Sequence, residues 1–222
     1  MRKFTGFGER AIDFYDGLVA DNSKAYWTDN RDVYESDVRA PMQALLDDLA
    51  AEFGHFGTAK IFRPYRDVRF AKDKTPYKTH CGAVIESGRG AGAYYLQIGP
   101  AGLMMGGGTF HTSGDQLRRF RESVADDLRG EPLVGILATL RRQGWEIHGE
   151  RLKTTPRGYD ADHPRIDLLR HKSLYAWVGY EPDDALHGPE AGDRVRSRWR
   201  QLRRFNEWAA DHVGLADERN PR

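Results

Sequence analysis

A chain of 222 residues, 39% of them apolar, has material for a sizeable core, and 34 Lys and Arg against 33 Asp and Glu leave a net charge of only +1. That composition speaks for a well-solvated surface rather than disorder, and it weighs against the broad basic face usual in nucleic-acid domains. The single cysteine, Cys81, excludes an intrachain disulfide, and no apolar run is long enough for a signal peptide or a membrane span, so a cytoplasmic protein is expected.

In chain order, Ile12, Phe14, Tyr15, Leu18 and Val19 recur at helical spacing and predict a helix over about residues 8–20. Asn22 suits the N-cap of the next helix, with Tyr26, Trp27, Val33, Tyr34 and Val38 on its apolar stripe. Pro41 suits the first turn of a third, which carries Leu45, Leu46, Leu49 and Phe53 and ends at Gly54. Residues 60–80 then read as a strand and a turn marked by Lys74-Thr75-Pro76. Strand character follows in Cys81–Glu86, Ala93–Ile98 and Leu103–Met105, joined by SGRGAG and GPAG, links short enough to force antiparallel hairpins. Gly106 to Gly108 read as a bulge and tight turn before a helix capped by Ser113 and Gln116. Helices are predicted over about 113–128 and 132–143, the second opening on Pro132, then a small hairpin turning at His148-Gly149. Residues 156–169 read as an ordered loop, 174–180 as a central strand apolar on both faces, and 191–214 as an arginine-rich amphipathic helix. The fold class is α+β, a mainly antiparallel sheet of about five or six strands with helices packed on it. One domain over 1–222 is expected, its last few residues disordered.

The chemistry concentrates in KIFRPYRDVRFAKDKTPYKTH, residues 60–80, which set seven cations against Asp67 and Asp73. Arginine's planar fork binds phosphate or carboxylate through two parallel hydrogen bonds, and lysine adds a mobile point charge. If the stretch is extended, Arg63, Asp67 and Arg69 point one way, and Arg66, Val68 and Phe70 the other, among apolar neighbours. The expected ligand set is Arg63, Arg66, Asp67, Arg69, Lys72, Lys74, Tyr77 and Lys78, with His80, His111 and His163 as candidate proton carriers. Asp160, Asp162 and His163 contain metal donors, but no H-x-x-x-H or cysteine pair accompanies them, so no metal is expected. Cys81 follows His80, yet strand neighbours face opposite ways, so the two form no dyad by adjacency.

RDVRFAKDKTPYKTH (66–80), NSKAYWTDNRDVYESDVRAP (22–41) and PRGYDADHPRIDLLRHKSLY (156–175) together resemble domain-of-unknown-function family 2461. Tyr26 and Trp27 stand where that family usually has a Trp-Phe pair. The resemblance implies kinship and no activity or cofactor. Three readings stay open: an enzyme or binder holding a small anionic ligand, which is the one adopted; a nucleic-acid surface combining the basic stretch with the last helix; and a structural ion-pair network in a partner-binding protein. Replacing Arg66 or Arg69 by alanine separates the first from the third: wholesale unfolding speaks for structure, and a folded protein that loses its ligand speaks for a site.

Overall fold

The computed structural model describes residues 3–54, 59–86 and 92–217. Most of the expected SGRGAG link and the tail expected to be disordered lie outside the described residues. Six strands form one antiparallel sheet in the order β1-β2-β3-β4-β6-β5: β1 Ala59–Ile61, β2 Cys81–Glu86, β3 Ala93–Gly99, β4 Gly102–Thr109, β5 Glu146–His148 and β6 Leu174–Tyr180. Together with the helices this is the expected α+β class. The chain divides into two compact units, one within residues 1–85, 95–105 and 179–197, the other within 86–94, 106–178 and 198–222.

In the first unit α1 (Ala11–Ala20) buries Phe14, Tyr15 and Leu18, and α2 (Lys24–Asp29) buries Trp27. The cap of α2 is Ser23, not Asn22: its hydroxyl accepts from the Tyr26 amide at 3.1 Å. The shift frees the Asn22 amide for another partner, described below. Pro41 lies in the first turn of the third helix, as expected, but that helix continues from the turns before it. A turn, α3 (Arg31–Val33), runs through a π-helical stretch (Tyr34–Arg39) into α4 (Ala40–Phe53). Pro41 has no N–H to offer the carbonyl of Asp37, and the Gly8 amide takes that carbonyl instead, at 2.9 Å. Proline here marks a local widening of a continuous helix rather than its start. Leu45, Leu46, Leu49 and Phe53 face the core with Ile85, Leu96, Ile98 and Leu103 of the sheet.

The second unit holds α5 (Gly114–Ala125), α6 (Asp127–Arg142) and α7 (Ile166–Leu169). The expected capping box is present at Ser113 and Gln116. Pro132, expected in a first turn, lies inside α6, because Asp126 caps the helix five residues earlier by accepting from the Arg129 amide. The expected hairpin at His148-Gly149 does not close on itself. β5 pairs with β6 instead, Ile147 opposite Ala176, and Arg151 bridges to His171. β6 is an interior strand as expected, but it is buried on one face only, Leu174 and Ala176 inward and Tyr175 and Trp177 half-exposed.

The glycine run belongs to β4 rather than to a turn. A Cβ on Gly106 would stand 2.7 Å from the Trp177 ring, and one on Gly107 2.7 Å from Leu202. Gly108 has φ +121°, and a Cβ there would meet the Leu174 carbonyl oxygen at 2.6 Å. The three glycines let ring and helix approach the bare strand. The last helix, α8 (Glu190–His212), supplies Trp199, Leu202, Phe205 and Trp208 to this unit's core.

Candidate functional site

Between β1 and β2 the chain makes a long excursion, residues 62–80, closed by a single bridge between Tyr65 and Tyr77. Arg66 N–H donates to Pro76 O at 2.8 Å and Lys78 N–H to Pro64 O at 2.7 Å. The excursion is pinned at its base. Asn22 donates to the Tyr77 carbonyl at 3.1 Å and accepts from its amide at 3.0 Å, replacing a strand partner with one side chain. Tyr77 lies 5% exposed, stacked on Trp27 with centroids 4.5 Å apart and planes 9° apart. Tyr77 therefore holds the hairpin onto the helices, and Tyr65 is the exposed ring beside it.

Outside the bridge the cations are spent locally. The Arg66 guanidinium donates to Asp73 and to the Thr75 hydroxyl. Arg69 lays its fork on Asp67, Nε to Oδ1 at 3.0 Å and Nη2 to Oδ2 at 2.6 Å. Lys74 Nζ donates to the Val68 carbonyl at 2.9 Å. The Thr75 amide and then Arg66 hold the Asp73 carboxyl down at about 2, and Arg69 holds Asp67 below the usual range. These groups are open to water, so screening leaves such pairs with little net stabilisation. The enclosure expected from Val68 and Phe70 is absent, for Phe70 is 96% exposed. Exposure nevertheless alternates along residues 63–69 as the extended reading expects, Arg63, Tyr65, Asp67 and Arg69 open and Pro64, Arg66 and Val68 half-buried, and the pattern ends at Phe70. Arg63 and Lys72 are exposed and have no ion-pair partner among the described residues.

A different arrangement forms where the excursion meets the sheet. Strand pairing sets Lys60 opposite Val84, on the face turned away from Ile61, Ala83 and Ile85. Phe62 continues that face, its amide donating to the Gly82 carbonyl at 2.8 Å. Gly82 leaves room above the strand: a Cβ there would stand 2.6 Å from the Tyr95 hydroxyl and 3.3 Å from the Phe62 ring. The rings of Phe62 and Tyr95 lie 6.3 Å apart, and the Tyr95 hydroxyl donates to Gln97 Oε1 at 2.8 Å. Lys78 Nζ stands 5.4 Å and Lys60 Nζ 5.9 Å from the Phe62 centroid. Neither ammonium has a carboxylate at ion-pair distance among the described residues. His80 lies on the same side, its Cβ close beneath Gly99. Burial, and then the Lys78 charge, push its imidazole below the ordinary histidine value, which favours the neutral ring. Burial lifts the Tyr95 phenol to about 12, so it remains a donor at neutral pH.

The result is a half-exposed ledge: two ammoniums over an aromatic floor, with an amide, a phenol and an imidazole along the rim. Lys78 and His80 were legible as candidates; Phe62, Tyr95 and Gln97 were not. Their signal was the alternation of β3, in which Tyr94, Leu96 and Ile98 are buried and Tyr95 and Gln97 half-exposed. Of the other two histidines, His111 is exposed beside α5, and His163 Nδ1 accepts from the Arg165 amide at 3.0 Å within its own loop. Both belong to the second unit, His80 to the first. Among the described residues no three His, Cys, Asp or Glu gather as a metal site would require, and no helix is long and apolar enough to cross a membrane.

One sequence family accounts for nearly the whole length: residues 10–208 match the family described as conserved hypothetical protein, DUF2461. No curated protein and no solved structure gives a significant match.

Proposed function

The chain belongs to this conserved hypothetical protein family, and we propose that the ledge of the first unit binds a small ligand carrying a phosphate or carboxylate together with a planar ring. The observation that carries the reading is the convergence of Lys60 and Lys78 on the Phe62 ring without a carboxylate between them. An oxyanion bound at this ring would offset the two positive charges and gain charge-assisted hydrogen bonds. Phe62 and Tyr95 offer the faces for the ring, while Gln97 and Tyr95 supply directional polar contacts. Arg63 and Lys72, exposed on the excursion, add long-range attraction for the anion. His80, kept neutral, is the group on this ledge suited to take up a proton, which would make the ligand a substrate.

The nucleic-acid reading draws less support. Three of the six arginines of α8 are engaged: Arg194 on Asp183 at 2.8 Å, Arg196 on Glu52 at 3.2 Å and Arg198 on the Gln143 carbonyl at 2.7 Å.

Thermal-shift screening against nucleoside monophosphates and aromatic carboxylates tests the proposal. A ligand should raise Tm saturably, and Lys78→Gln should weaken it about tenfold or more, the worth of one charged hydrogen bond. If no such compound binds, or if Lys60→Gln with Lys78→Gln leaves a hit unaffected, the ledge is not its site.

A further inference from the structure

The second unit contains a different kind of cationic group, one whose hydrogen-bonding capacity the described residues leave partly unmet. Arg121 projects from α5, and its Nε donates to the carbonyl of Leu169, the last residue of α7, at 3.1 Å. Its Nη2 is fully enclosed yet has no hydrogen-bond partner among the described residues. The next residue along the chain, Arg170, shows the same defect at its Nε. No aromatic ring lies beneath either guanidinium among the described residues.

Carboxylates near these two arginines are already engaged. Asp167 stands 3.6 Å from Arg170, too far for a hydrogen bond, and the same oxygen accepts from Arg151 at 3.1 Å. Glu122, beside Arg121 in sequence, is exposed and held by Arg118 at 2.9 Å. Tyr159 lies near enough to feel the charges of both Arg121 and Glu122. Arg151 and Arg170 thus share one aspartate, Asp167, near the end of α7, and Arg121 has no carboxylate at ion-pair distance among the described residues. An enclosed N–H without a partner costs on the order of 1–3 kcal/mol, and more when it is charged. Water would satisfy the hydrogen bonds but not the charge.

We propose that Arg121 and Arg170 form an oxyanion site in the second unit, binding a phosphoryl group through their enclosed Nη2 and Nε, with the Tyr159 hydroxyl as a further donor. The guest is inorganic phosphate or a phosphomonoester. Planar guanidinium forks match its oxygens, and a tetrahedral dianion balances the local excess of charge. This site stands independently of the ledge, which lies in the other unit.

The test is titration of the full chain with inorganic phosphate at constant ionic strength, followed by Tm and by calorimetry, with a simple phosphomonoester in a parallel arm. Wild type should show a saturable rise in Tm. Arg121→Gln and Arg170→Gln should each weaken binding about tenfold or more, while Lys24→Gln, at an exposed cation of α2 outside both sites, leaves it unchanged. A stronger response to the ester would identify it as the guest, and an equal response the free anion. If Arg121→Gln fails to fold, Arg121→Lys replaces it, which retains the charge without the fork and should bind more weakly at unchanged circular dichroism. The proposal is overturned if phosphate gives no saturable rise, or if the rise survives both glutamine substitutions.

Discussion

Cys81 shows how burial sets the chemistry of a single side chain. The thiol is 2% exposed at the start of β2 and hydrogen-bonded with the Tyr34 hydroxyl. Burial lifts it from 9.0 to about 12, against smaller opposing effects of Tyr34, Arg39 and Lys78. Such a thiol is neither a nucleophile nor a metal ligand at neutral pH. Folded protein should therefore react with a thiol reagent only at the rate of unfolding, and Cys81 labelling in denaturant should be immediate by comparison. The sign of the pH dependence follows. Because the folded state holds the proton more tightly, the thiol's contribution is complete below pH 9 and is lost as pH rises through 12. At about 1.4 kcal/mol for each tenfold change in acidity, the loss is on the order of a few kcal/mol. Cys81→Ala should flatten that part of the alkaline stability curve; an unchanged curve would assign it to the buried tyrosines instead.

At the scale of elements, glycine has opposite meanings in β4 and α6. Gly108 combines φ +121° with a backbone oxygen 2.6 Å from where a Cβ would sit, so Gly108→Ala should cost about 3 kcal/mol or prevent folding. Gly135 lies inside α6 with nothing within 4 Å of its missing Cβ, and Gly135→Ala should stabilise by about 0.5–1 kcal/mol. Urea titration of the two variants distinguishes them, and equal midpoints would mean that the contacts around β4 yield easily. Arg165 illustrates another element-level device. Its guanidinium, 7% exposed, donates to the Val124 carbonyl at 2.6 Å and the Ala125 carbonyl at 2.9 Å, closing the end of α5 where α6 begins. A loop arginine read in the sequence only as part of a family motif thus acts as a helix cap.

For the whole molecule, charge balance restrains what the basic stretch can do. The net charge is +1, and Arg66, Arg69, Arg194 and Arg196 are each held by a carboxylate, which weighs against a long polyanion as the guest. Fluorescence anisotropy with single-stranded and duplex oligonucleotides should detect no binding at moderate salt. Tight binding with a steep salt dependence would restore the nucleic-acid reading and displace the ledge.

The sequence by itself determined the helical stripes, the meander from Cys81 to Met105, the antiparallel α+β class and the family, because periodicity and short links depend only on neighbours along the chain. The tertiary structure decided what no local window contains. Ser23 rather than Asn22 caps α2 because Asn22 is drawn to Tyr77, 55 residues away. Lys78 meets Phe62, and Phe62 meets Tyr95, only when β1, β2 and β3 lie side by side, and Arg121 meets Leu169 only when α5 packs beside α7. Which cation lacks a partner is set by distances between segments remote in sequence, and composition does not contain those distances.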